Sequence, residues 1–283
     1  MWRLVHRALS VLCPLLPGRV RFRIWKLLCS RGSRSWEPDG QAQRVEGHMY
    51  IKLSTLVRPS EGQVTDFVRR NTNIPVPIVI DNVTVDGETA LVLSELPGTT
   101  VREIHRDSGV SDEQAAKLSR QLARLLAGLR SLPPPASGVC GWGHGPVHCE
   151  RICMDSKPRG PWSSVDEFHT WMVARSRIVA PPEKSDEVWS CIKAAHSRPH
   201  RICLTHNDLA SQNILVDEQF NITGIIDWEA AAWMPEYWEY TKSMFLPWDR
   251  KGWWYRIMRD VFPQYEVERQ AELYIWNYRE VYS

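Results

Sequence analysis

Leu204-Thr205-His206-Asn207-Asp208-Leu209-Ala210-Ser211-Gln212-Asn213-Ile214-Leu215-Val216 is the stretch on which the reading of this chain turns. An apolar run (Ile202, Cys203, Leu204) enters it and another (Ile214, Leu215, Val216) leaves it. That pattern predicts strand, polar loop, strand, with the loop held at both ends by buried backbone. The loop carries His-x-Asp and then, five positions after Asp208, Asn213. A further apolar stretch, Ile222-Thr223-Gly224-Ile225-Ile226, runs directly into Asp227. Two carboxylates and one carboxamide are therefore expected at the ends of neighbouring strands. The plainer alternative makes Asp208 and Asn213 a polar turn between hairpin strands, because both residue types form turns.

Phosphoryl transfer draws on that set of groups. One carboxylate orients the attacking hydroxyl and takes its proton, while a carboxylate and an amide oxygen hold the Mg²⁺ that bridges the nucleotide phosphates. His206-x-Asp208-x4-Asn213 resembles the catalytic loop of kinase-like phosphotransferases, and Ile226-Asp227-Trp228 stands where protein kinases have Asp-Phe-Gly. The run Gly224-Ile225-Ile226-Asp227-Trp228-Glu229, followed by Pro235-Glu236-Tyr237-Trp238-Glu239-Tyr240, resembles the aminoglycoside phosphotransferase/choline kinase-like family, in its fungal-type subgroup. The resemblance implies an α+β, bilobal protein-kinase-like fold, with a small antiparallel-sheet N-lobe and a larger, mainly helical C-lobe. It also implies Asp208 as the catalytic base, Asn213 and Asp227 as metal ligands, and ATP and Mg²⁺ as cofactors.

Composition agrees with a soluble globular chain. Its 283 residues are enough for one large domain or two small lobes, and a net charge of +2 does not argue for nucleic acid. No apolar run reaches the roughly 18 residues that a membrane span needs. Seven scattered cysteines read as free thiols in a reducing compartment. His144, His148, Cys149 and Cys153 lie close in sequence but lack a paired Cys-x2-Cys, so a zinc site is not expected there.

Residues 1–36 contain seven Arg, one Lys and no acid. Such a start can be a mitochondrial transit peptide. The stretch Val20-Arg21-Phe22-Arg23-Ile24-Trp25-Lys26-Leu27-Leu28 equally predicts an amphipathic helix packed on the first lobe. The packed helix is the reading adopted here, and with it a cytoplasmic protein. Met49-Tyr50-Ile51-Lys52-Leu53 predicts a strand, and Pro59 to Val68 a helix capped by Ser60. By the resemblance, Lys52 is the nucleotide lysine and Glu61 the helix glutamate that holds it. The only glycines between Trp36 and Met49 are Gly40 and Gly47, so no glycine-rich phosphate loop is recognised. Ala90-Leu91-Val92-Leu93-Ser94-Glu95-Leu96 resembles the hinge strand, placing adenine near Glu95 and Leu96. The lobes then divide into residues 1–96, the N-terminal helix and small nucleotide-binding lobe, and residues 97–283, the large catalytic and substrate lobe.

Past the hinge, Ser111-Asp112 opens a helix whose leucines at 118, 122, 125, 126 and 129 form a core face, stopped by Pro133-Pro134-Pro135. Two further helices are expected over 163–177 and 186–195. Half of the fourteen tryptophans fall at or beyond position 228. Most of these are expected in the core. Trp228, Glu229 and Glu236 are the exceptions taken as substrate candidates, because they follow the metal aspartate closely. With a helix from position 236, Glu236 and Glu239 share a face and favour a cationic or amine-bearing acceptor; the alternative pairs Glu239 with Lys242.

The function that follows is ATP-dependent phosphorylation of a hydroxyl or amine on a small molecule. A protein substrate is disfavoured because position 207 is Asn, no Ala-Pro-Glu follows Asp227, and little chain remains for an activation segment. The alternative class is a catalytically degenerate kinase fold kept for nucleotide binding or as a scaffold.

Overall fold

The structure, a computed structural model, describes residues 2–34, 42–135, 138–152, 157–245 and 252–280. Cys153, Trp36, Gly40 and Trp248, noted in the sequence, lie outside these described residues. The chain forms two compact units. The first comprises Met1–Glu103 and Gln212–Glu229, the second Ile104–Ser211 and Ala230–Ser283.

In the first unit, α1 (Trp2–Leu12) and α2 (Gly18–Arg31) precede β1 (Ser33–Arg34), β2 (Ala42–Val45) and β3 (Met49–Ser54). Then come α3 (Pro59–Asn71), β4 (Val79–Val85), β5 (Glu88–Ser94) and β6 (Thr99–Thr100). Strands β1 to β5 make one antiparallel sheet in the order β1-β2-β3-β5-β4. Central β5 is buried from Thr89 to Ser94, and its alternate residues face different neighbours, as the period of two requires. Ala90 and Val92 join Ile51, Ile80, Phe22 and Trp25 in one cluster, whereas Leu91 and Leu93 pack with Val57. The valine, leucine, isoleucine and phenylalanine side chains among them contribute roughly 1.5–3 kcal/mol each when fully buried.

The amphipathic helix expected near residue 20 is α2. Its Phe22 and Trp25 sit on the sheet, Arg21 pairs with buried Asp81, and Trp25 Nε1 donates to the other Asp81 oxygen at 2.6 Å. Helix α3 starts at Pro59 with Arg58 as its cap residue, so Ser60 is not the cap. Proline's fixed φ and missing N–H suit the first helical position, which moves the start one residue ahead of the serine.

Helix α4 (Val101–Ser108) carries the chain into the second unit, where α5 (Asp112–Arg130) opens with a capping box. Ser111 accepts from the Gln114 amide, while the Gln114 side chain accepts from the Ser111 amide. Strand β7 (Cys140–Gly141) follows, then α6 (Val165–Ser176), α7 (Pro182–His196) and β8 (Ile202–Thr205). The chain returns to the first unit for β9 (Ile214–Val216) and β10 (Ile222–Ile225). The second unit is completed by β11 (Ala232–Pro235), α8 (Trp238–Ser243), α9 (Trp253–Val261) and α10 (Glu266–Asn277).

The two strands flanking the His-x-Asp loop do not pair with each other. Strand β8 pairs with β11 in the sheet β7-β11-β8, whereas β9 lies between β10 and β6. This excludes the hairpin-turn reading of Asp208 and Asn213. Gly98 shows how closely β6 and β9 approach. Its φ is +108°, and a Cβ there would lie 2.5 Å from the Val216 carbonyl oxygen, so only glycine fits without a shift.

Candidate active site

The residues singled out from the sequence fall into two sets, each internal to one unit. The first is built on β3, α3 and the end of β10. Strands β9 and β10 are antiparallel with Ile214 opposite Ile225, so the start of one and the end of the other share an edge. The Ile226 amide donates to the Asn213 carbonyl at 3.0 Å, which places Asn213 beside the turn into Asp227. Asp227 takes a φ of +67°, a left-handed conformation that Asp tolerates better than most residues. There its Oδ1 lies 2.9 Å from Lys52 Nζ. The same Nζ lies 2.9 Å from Glu61 Oε1. The structure thus brings Lys52, Glu61 and Asp227 together from positions far apart in the chain.

This ion pair is dry on one side. Glu61 is 1 % exposed, and its Oε2 has no hydrogen-bond partner among the described residues. Burial disfavours the Lys52 ammonium, but the Glu61 and Asp227 carboxylates outweigh it and hold the lysine charged. Burial likewise lifts the Glu61 carboxyl above the usual carboxylate range, with Lys52 pulling it back. Carboxylate oxygens of Glu61, Asp227 and Glu229 all lie within 4.8 Å of one another. An oxygen-only set of this kind, with one buried oxygen lacking a partner, fits a hard divalent cation such as Mg²⁺. Asn213 adds a carboxamide to the same end of the strand pair.

The second set surrounds Asp208. Its loop is fixed from within the second unit by Glu239, a fully buried residue of α8. The amides of His206 and Asn207 donate to the two Glu239 carboxylate oxygens at 2.5 and 3.1 Å. Burial raises the Glu239 carboxyl, while His206 and these amides pull it down. Asn207 takes a φ of +64°, accepts from Trp238 Nε1 at 2.7 Å and donates to the Ala230 carbonyl at 2.8 Å. These contacts turn the chain so that the next side chain, Asp208, points outward and stays 42 % exposed. Its Oδ1 meets Lys242 Nζ, from the end of α8, at 3.1 Å. Burial disfavours the Lys242 ammonium, and the nearby Cys149 and Asp208 groups outweigh it.

Three expectations change. Trp228 is 1 % exposed and donates through Nε1 to the Ile225 carbonyl at 3.0 Å, so it is a core residue and not a substrate contact. Glu236 precedes α8, which begins at Trp238 because Pro235 still belongs to β11. Its carboxylate lies 3.3 Å from Arg201 and 3.6 Å from Arg130, and Glu239 is buried, so these two acids do not form an exposed pair for a cationic acceptor. Lys242 pairs with Asp208 and not with Glu239. Glu95 gives its amide to the His48 carbonyl at 2.8 Å, and its carboxylate meets Arg44 and His48 at 2.8 and 2.6 Å.

Glu229 keeps partial exposure, with Arg58 at 3.6 Å. The contacts of Glu239 with the His206 and Asn207 amides, and of Lys242 with Asp208, are ones that the sequence motif did not reveal. Among the described residues, the expected cysteine pattern is seen: Cys13, Cys29, Cys140, Cys149, Cys191 and Cys203 are free. Among the described residues, which leave out Cys153, the His/Cys/Asp/Glu group within ligand distance is Glu61, Asp227 and Glu229.

An antiparallel-sheet unit carrying a Lys–Glu–Asp cluster, with a His-x-Asp loop in a largely helical unit, defines a bilobal α+β fold of the kinase-like phosphotransferase class. The sequence model of the phosphotransferase enzyme family matches residues 54–279, and the chain belongs to that family. No curated protein matches it by sequence. Among solved structures it is similar to the GDP complex of aminoglycoside 2'-phosphotransferase-IIIa, at 13 % identity and a TM-score of 0.53, covering 83 % of this chain and 78 % of that one. A macrolide 2'-phosphotransferase type I gives 15 % identity and a TM-score of 0.49 over 83 % of this chain and 78 % of that one. A choline kinase from Streptococcus pneumoniae gives 12 % and 0.45 over 91 % and 88 %. The first of these carries the likeness in fold; the other two add no argument. No helix of the described residues is long and apolar enough to cross a membrane.

Proposed function

We propose that the protein transfers the terminal phosphoryl group of ATP, bound with Mg²⁺, to a hydroxyl or amine of a small molecule. The observation that carries this reading is Lys52, held charged between Glu61 and Asp227 at 2.9 Å from each. A cation fixed in that way is suited to the non-transferred phosphates. Asn213 and Asp227 are the proposed metal ligands, with Glu229 beside them. When bound, Mg²⁺ would neutralise charge on the phosphate oxygens.

Asp208 is the proposed base. It orients the acceptor hydroxyl and takes its proton as the new P–O bond forms and the bond to the departing nucleoside diphosphate breaks. Glu239 fixes the loop that carries Asp208. The Leu96 amide and the Glu95 carbonyl are the proposed adenine contacts. GTP is the rival donor, since the similar aminoglycoside enzyme is a GDP complex. Residues 1–96 are proposed as the nucleotide-binding lobe, residues 97–283 as the catalytic and substrate lobe, and the cytoplasm as the compartment. An amine-bearing or cationic acceptor remains our proposal from the family, no longer from Glu236 and Glu239.

The test is release of nucleoside diphosphate by the purified protein with Mg²⁺ and ATP or GTP, against amino sugars, amino alcohols and alkaloid-like amines. Acceptor-dependent release is expected for a basic hydroxyl compound. A screen won by sugar acids or phosphorylated compounds overturns the acceptor class. No release, together with no nucleotide-dependent rise in Tm, favours the scaffold reading.

A further inference from the structure

The N-terminal helices bury one apolar face and expose another. On the inner side, His6 Nε2 contacts the Gly47 carbonyl at 2.8 Å, and Phe22 and Trp25 sit in the sheet's core cluster. A helix that only braces the sheet needs no second apolar face. Yet among the described residues, the exposed large hydrophobics outside Trp2–Leu27 are only Leu56, Val179 and Trp189. On α1, Leu4, Val11 and Leu12 are 73, 68 and 56 % exposed, and their spacing places them on one stripe. Leu15 and Leu16, in the turn that follows, extend the apolar surface at 77 and 47 % exposure. On α2, Val20, Ile24 and Leu27 recur at helical spacing and are also exposed.

The charges flanking these stripes have one sign. Residues 1–36 contain no acid. Arg21 and Lys26 are tied to Asp81 and Glu88 of the sheet, and Arg19 lies 3.7 Å from Asp86. Arg3, Arg7, Arg23 and Arg31 have no acidic partner among the described residues. A second copy of this surface would set arginine against arginine with no acid between them, which disfavours self-association. The surface calls for an occupant that is both apolar and anionic.

We infer that α1 and α2 form an interfacial membrane-binding surface for bilayers containing anionic lipid. The leucine, valine and isoleucine stripes enter the headgroup–acyl boundary, and the four arginines meet lipid phosphates and carboxylates at its rim. The chain lies on the bilayer without spanning it. This surface acts independently of the phosphotransfer reading, so the two stand or fall separately.

The experiment is co-sedimentation of the full-length protein with vesicles of phosphatidylcholine alone, or of phosphatidylcholine with phosphatidylserine. Strong capture by the phosphatidylserine vesicles is expected, with weaker capture by phosphatidylcholine and weaker capture in high salt. Leu15→Glu and Ile24→Glu should each lower the partition coefficient about tenfold or more. Arg23→Gln should lower it about fivefold. These side chains are exposed, so thermal unfolding of the variants checks that the fold is kept. Absence of capture by phosphatidylserine vesicles overturns the inference. So does undiminished capture of both apolar variants. Concentration-dependent dimers abolished by Leu15→Glu, without vesicle capture, would assign the surface to a second copy and equally overturn it.

Discussion

Lys52 and Lys242 are both lysines shielded from solvent and paired with carboxylates, yet the two pairs are built differently. Lys52 is shared by two acids, one of them, Glu61, almost wholly buried. Lys242 makes its ion pair with one acid, Asp208, whose side chain is 42 % exposed. In the first arrangement the buried Glu61 charge depends on Lys52, because water cannot replace that partner. In the second the carboxylate keeps contact with solvent and remains open to a substrate hydroxyl. A fixed cation suits the holding of phosphates, and an accessible carboxylate suits the taking of a proton.

The largest effect is expected at Asp208, the proposed base. Asp208→Asn should lower kcat by about 10²–10⁴-fold while leaving nucleotide affinity nearly unchanged, which steady-state kinetics and direct nucleotide titration can check. Equal turnover would remove Asp208 from the base role. Lys52→Met should reduce stability by about 3–5 kcal/mol, because it leaves the buried Glu61 without its counterion, and should weaken nucleotide binding. Denaturant unfolding measures the first effect. Lys242→Met should cost far less, about 1 kcal/mol, since Asp208 can be hydrated in its place. If the two lysine variants proved equally destabilised, the contrast between dry and open pairs would fail.

A third buried group sharpens the contrast because it stays neutral. His169 stacks on His196 with ring centroids 3.9 Å apart, and its Nε2 lies 2.8 Å from the Tyr237 hydroxyl. Burial first, then neighbouring His196 and His200, holds His169 down to about 3. Burial and His200 hold His196 down to about 4. Unfolded histidines titrate near 6.5. Below that value the unfolded chain takes up protons that the folded rings refuse, so stability drops as pH is lowered. We expect this contribution to be complete above about pH 6.5 and to be lost progressively as pH falls through about 4 for His196 and about 3 for His169. Urea titrations across that range test it, and a flat profile would contradict it. The smallest effect is expected from Glu236→Gln. Its pairing with Arg201 and Arg130 predicts a change of under about 1 kcal/mol in stability, with KM for a cationic acceptor unaltered.

The local parts of the site were legible in the sequence. Asp208, Asn213 and Asp227 stand in short motifs whose flanking apolar strands announce themselves, and Lys52 and Glu61 follow from a strand and a helix start. The contacts that cross between motifs were not legible. Glu239 reaches the amides of His206 and Asn207, and Lys242 reaches Asp208, over more than thirty positions of sequence. The spacing of three between Glu239 and Lys242 suggested a local pair, but burial of Glu239 beneath the loop overrides it. Glu236 misled for a related reason. The strand β11 extends to Pro235 and delays α8 to Trp238, so the helical face assumed for Glu236 does not exist. Trp228 was drawn to the substrate by its place beside Asp227, whereas its indole N–H finds the Ile225 carbonyl within the core.

The most direct test of a metal-dependent nucleotide site in this chain is a thermal-shift titration of ATP, with and without Mg²⁺, on wild type and Asp227→Ala. At saturating nucleotide, about a hundredfold above Kd, binding adds about 2.7 kcal/mol and a corresponding rise in Tm. The account predicts that wild type shows this rise with Mg²⁺ and a much smaller one without it, and that Asp227→Ala loses the difference. Identical curves with and without Mg²⁺ in wild type, or an unchanged Mg²⁺ dependence in Asp227→Ala, would contradict it.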